Sequence, residues 1–75
     1  MLFALIYTNR NGHHYFKGAY RSLENAQRAM KQFVKDSLIW DGRFAEYDPM
    51  AAVLFQNLPD GGCMEVGMYE ILRKD

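Results

Sequence analysis

Cysteine occurs once in this chain of 75 residues, at Cys63. An internal disulfide is therefore excluded. A small domain without bridges fits a reducing compartment, so the expected location is the cytoplasm. Proline is also scarce, with Pro49 and Pro59 alone, and no Pro-rich or low-complexity linker divides the chain. No apolar run approaches the ~20 residues that cross a bilayer. The opening run from Met1 to Thr8 lacks a basic leader and meets a turn, so it reads as neither a signal peptide nor a membrane anchor. Charge of one sign is missing too. Nine basic residues balance nine acidic ones, which gives no general attraction to a polyanion and no acidic mimicry of one. Internal repeats are absent, and the length is that of one domain, residues 1–75.

Apolar material is plentiful. The composition is 49% hydrophobic and 15% aromatic. A chain this short buries only about 60% of the surface that its unfolded form exposes. The surplus is expected to meet a partner or a second copy of the chain.

Asn11-Gly12 between two apolar runs predicts a β-hairpin with a two-residue turn, in which Arg10 faces His13. That register pairs Tyr7 with Phe16, Leu5 with Gly18 and Phe3 with Tyr20 on one face. Ala4, Ile6 and Thr8 then share the other face with Ala19, Lys17 and Tyr15. Ser22 is an N-cap candidate for a helix running to about Leu38. Leu23, Ala26, Met30, Phe33, Val34 and Ser37 form its inward stripe, and Glu24 and Arg28 make a favourable i,i+4 pair on the outside. The stripe should cover the Phe3, Leu5, Tyr7 and Phe16 face.

Residues 43 to 48 read as a linker. Asp48-Pro49 has the form of a cap followed by proline at the first helical position, which favours a short helix from Met50 to Asn57. The rival is a strand from Ala52 to Gln56, turning at Pro59-Asp60-Gly61. Cys63 to Arg73 alternates weakly as a final strand pairing with the free edge of the first. Met64, Val66, Met68 and Leu72 fall on one face, with Glu65, Gly67, Tyr69 and Ile71 on the other. Gly67 marks a bulge there. The expected class is α+β: an N-terminal hairpin, one long helix on one sheet face, a short second helix or strand, and a C-terminal strand. The sheet would have three strands, antiparallel or mixed.

The chemistry-bearing residues are few. His13 and His14 are adjacent, so on a strand they point to opposite faces and cannot easily share one metal ion. Cys63 lacks a neighbouring base in the sequence. Gly61-Gly62 lacks the lysine and following helix of a phosphate loop. No cofactor or metal is expected. A small enzyme would need His13, His14 or Cys63 at a site shared across a dimer. Lys17, Arg21, Arg28, Lys31 and Lys35, with Tyr15 and Tyr20 for stacking, form a candidate surface for single-stranded nucleic acid. The RNP-type pattern is only echoed by the segment from His14 to Tyr20. The reading favoured over both is a non-enzymatic protein-binding module, a regulator, adaptor or inhibitor of the kind that phages and mobile elements encode. Trp40, Phe44, Tyr47 and Phe55 would anchor another protein or a second copy in a homodimer.

Overall fold

Six elements follow one another along the chain: β1 (Leu2–Asn9), β2 (His14–Tyr20), α1 (Leu23–Ser37), β3 (Arg43–Asp48), β4 (Ala51–Asn57) and β5 (Cys63–Lys74). The structure is a computed structural model and describes residues 1–75. The strands form one antiparallel sheet in the order β2-β1-β5-β4-β3. The class is α+β as expected, but the sheet has five strands rather than three. As expected, the final strand lies along the free edge of β1, from Leu2↔Lys74 to Asn9↔Gly67.

The two extra strands come from residues 43 to 57. The segment read as a linker is β3, and the segment favoured as a helix is β4. Alternation decides the second case, because Ala52 and Leu54 are buried while their neighbours are only half-buried. The Asp48-Pro49 signal is present but serves a different end. Asp48 Oδ1 accepts from the Met50 N–H at 2.9 Å, and Pro49-Met50 forms a two-residue connection between Asp48 and its register partner Ala51. A cap and a fixed φ suit a tight turn as well as they suit a helix start.

The first hairpin differs from expectation in a way that cancels itself. Asn9 N–H donates to His13 O at 3.0 Å, and Gly12 N–H to Asn9 O at 2.9 Å. The loop is therefore Arg10-Asn11-Gly12. Gly12 has φ +85°, while Asn11 has a negative φ, so the two-residue mirror-image turn does not form. Asn9 Oδ1 holds the loop by accepting from the Asn11 and His13 N–H groups. The added loop residue shifts the pairing to Tyr7↔Tyr15 and Ile6↔Phe16. A bulge at Lys17 then restores Leu5↔Gly18 and Phe3↔Tyr20. The consequence is a swap near the turn. Tyr15 joins Tyr7 on the helix face, and Phe16 moves to the opposite face beside Ile6.

A second bulge, at Val66, breaks the expected faces of β5. Leu54 pairs with Gly67 but Phe55 pairs with Glu65. Glu65 therefore lies opposite Phe55, and Met64 pairs with Gln56 on the helix side.

Helix α1 forms where it was expected. The Ser22 hydroxyl accepts from the Asn25 N–H at 3.1 Å, and Ala26, Met30 and Val34 are buried. These three pack on Phe3, Leu5, Ala52, Leu54, Tyr69 and Ile71 to form the single core. The helix carries the chain from one edge strand, β2, to the other, β3, so it must cross the sheet. Gln27 Nε2 donates to Pro49 O at 2.8 Å and ties it to the β3–β4 turn.

Candidate functional site

Because α1 covers one sheet face, the other is left open, and alternation decides which side chains stand on it. From β1 come Leu2, Ala4, Ile6 and Thr8. Their register partners add Ala19, Phe16 and His14 from β2, and Leu72, Glu70 and Met68 from β5. From β4 come Ala51, Val53 and Phe55, and from β3 come Phe44, Glu46 and Asp48. Phe16 is 67% exposed, Leu2 46% and Leu72 42%. Phe44 and Phe55 stack at 5.2 Å between centroids and are each half-buried. Five strands at ~4.8 Å spacing and about seven residues at ~3.3 Å give an open face of about 550 Å² in plan. Apolar side chains share that area with Thr8, His14, Glu46, Glu65, Glu70 and Lys74, and exposed apolar patches on small proteins are often functional.

Glu70 sits in the middle of this face, on the central strand. Its cross-strand neighbours are Ile6 on one side and Ala51 on the other. Its carboxylate takes part in neither of the two ion pairs of the protein, Glu24–Arg28 and Arg73–Asp75. Around it the face carries Glu46 and Glu65 against a single ammonium, Lys74, while Asp48 at the end of β3 is turned to the Met50 N–H.

The four anchors expected from the sequence divide between locations. Phe44 and Phe55 stand together on the open face. Tyr47, 51% exposed, lies on the helix side of edge strand β3. It lines a cleft of about 360 Å³ with Gln27, Met30, Lys31, Asp48 and Pro49. Trp40, 63% exposed, belongs to the α1–β3 loop beside exposed Ile39. The Arg43 guanidinium lies 5.9 Å from its ring centroid.

The basic set lies on the other side of the molecule. Arg28, Lys31 and Lys35 project from α1 and Arg21 precedes it. Arg28 is paired with Glu24 at 3.2 Å. Lys17 projects to the helix side at the bulge, with its ammonium 5.4 Å from the Phe33 centroid. Tyr15 belongs to a row of rings across that face: it lies 6.2 Å from Tyr7, which lies 4.8 Å from Tyr69, which lies 5.9 Å from Phe33. Burial raises the Tyr69 phenol above its ordinary pKa, and the nearby Ser37 hydroxyl offsets only part of that rise. Tyr20 is half-buried against the helix.

His14 Nδ1 is 2.8 Å from Thr8 Oγ1, and His13 is exposed at the turn. Cys63 is exposed at the start of β5 and pairs with Asn57. The histidines and the cysteine thus belong to different hairpins, and no three His, Cys, Asp or Glu side chains converge on a metal-sized site. No helix is long and apolar enough to cross a membrane.

Of the residues on the open face, Ala4 and Ile6 are expected there from the sequence, whereas Leu2, Phe16, Met68, Leu72 and Glu70 are not. Alternation would have found most of them once β4 was taken as a strand. Phe16 needed the bulge. No protein-family model, curated protein or solved structure matches the chain.

Proposed function

We propose that the protein is a non-enzymatic protein-binding module that works through its open sheet face. One observation carries this reading: a five-stranded sheet covered by a helix on one side presents Leu2, Ile6, Phe16, Val53, Phe55 and Leu72 on the other. Apolar burial is the main favourable term in association, at about 25 cal/mol per Å² of area removed from water. Aromatic and methionine side chains are typical of the buried centre of an interface. Phe44 and Phe55 are the anchors retained from the expected set, and Phe16 and Leu72 join them.

Binding of single-stranded nucleic acid fits this face less well. Its aromatics stand among carboxylates that repel phosphate, and apart from Lys74 the cations lie behind the sheet.

The experiment is native mass spectrometry of the protein purified gently from its own cells, beside Phe16→Ser/Leu72→Ser. Both positions are exposed, so circular dichroism should show an unchanged fold. An added polypeptide, or a second copy, held by the wild type and lost from the variant supports the interface. A bare 8.8 kDa chain in both preparations would refute it.

A further inference from the structure

We propose that the occupant of the open face is a basic amphipathic helix of another protein, with one Lys or Arg reaching Glu70. The inference rests on the reading of that face as an interface and names the partner's chemistry. Glu70 is flanked across the strands by Ile6 and Ala51, and it has no ion pair. Any apolar occupant would strip water from its carboxylate, and a desolvated charge without a partner is costly. A cation on the occupant removes that cost and adds a charge-assisted hydrogen bond.

The remaining charges act in the same direction. Glu46 and Glu65, with Glu70 itself, outnumber Lys74 on this face, so it attracts a cationic partner and repels a polyanion. A second copy stacked face to face about a two-fold axis would bring one Glu70 towards the other and set acidic rim on acidic rim. Charge complementarity therefore selects a foreign, basic occupant over self-association.

Dimensions select a helix. The covered face of the same sheet is occupied by α1, a helix of 15 residues. The open face is about 24 Å across its five strands at ~4.8 Å spacing, which about 16 helical residues span at 1.5 Å each. Met68, beside Glu70 on the central strand, is an adaptable surface for side chains at i, i+3, i+4 and i+7 spacing.

The test uses the full chain and three fluorescent 16-residue peptides with leucine at helical spacing and lysine, glutamine or glutamate elsewhere. Anisotropy titrations should show the lysine peptide binding at least about tenfold more tightly than the glutamate peptide, and Glu70→Gln should lose about tenfold for the lysine peptide alone. Lys31→Gln, on the far side of the molecule, should change neither. Equal affinity for lysine and glutamate peptides, or no effect of Glu70→Gln, overturns the basic partner and leaves the interface intact. If no peptide binds and sedimentation shows a dimer that Phe16→Ser/Leu72→Ser dissolves, the occupant is a second copy and the inference is overturned. If no peptide binds and the chain sediments as a monomer, both the inference and the interface reading fall.

Discussion

Gly67 shows how closely single residues are specified here. A Cβ at this position would run into the Tyr7 ring, which lies over the strand with its hydroxyl donating to Val66 O at 3.4 Å. Overpacking of that kind costs about 1–3 kcal/mol. Gly67→Ala should lower the urea midpoint accordingly, and adding Tyr7→Leu should recover part of the loss. Glycine inside a strand pattern marks a bulge or a close approach; the bulge falls next to it, at Val66, and the close approach at Gly67 itself, so its importance was legible in the sequence. The exchange of Tyr15 and Phe16 between faces was not, because it depends on a bulge at Lys17 that no local residue pattern announces. Tyr69 carries a pH dependence. Its buried phenol is harder to ionise than in the unfolded chain, where a tyrosine titrates near pH 10. Above that pH the unfolded chain has released the proton and the native one still holds it. The contribution is thus fully present below about pH 10 and is lost as pH rises towards the raised native value. Urea midpoints measured from about pH 9 to about pH 11 should fall more steeply for the wild type than for Tyr69→Phe.

Among the elements, α1 is the sole cover of the core, and its stripe is the part most fully legible from spacing. Met30 is 1% exposed beneath it. Met30→Ala should cost about 2–5 kcal/mol, whereas Lys31→Ala, one residue on and exposed, should stay within about 0.5 kcal/mol. Ser22→Ala should cost about 1 kcal/mol through the lost cap. Chemical denaturation of the three variants checks all of these. The Pro49 region was misread because an aspartate cap and a proline announce a change of chain direction without specifying the element beyond it. That element is settled by β5, whose second edge needs a strand: Ala51↔Glu70 through Asn57↔Cys63 supply it. A helix at residues 50 to 57 would leave that ladder unmade, a non-local fact that a window of eight residues does not contain.

For the whole molecule, a net charge of zero conceals a division, with carboxylates prevailing on the open face and cations around α1. That division was illegible without strand order, since Glu46, Glu65 and Glu70 come from strands at the edge and centre of the sheet, β3 and β5. If like charge keeps open faces apart, the variant Glu46→Gln/Glu65→Gln/Glu70→Gln should self-associate. Sedimentation equilibrium should then give a mass above 8.8 kDa at concentrations where the wild type does not. The strand order also bears on how the protein is made. The strand at the centre of the sheet, β5, is the last of the five to be synthesised. A nascent chain that has completed β1 to β4 holds two hairpins with a vacant lane between them. The inner edges of β1 and β4 each offer a bare row of backbone N–H and C=O groups to whatever strand arrives first. Sealing that lane requires contacts that span most of the sequence, and such high contact order slows folding. Until β5 is in place the fold is two halves, and residues 63 to 74 zip them into one.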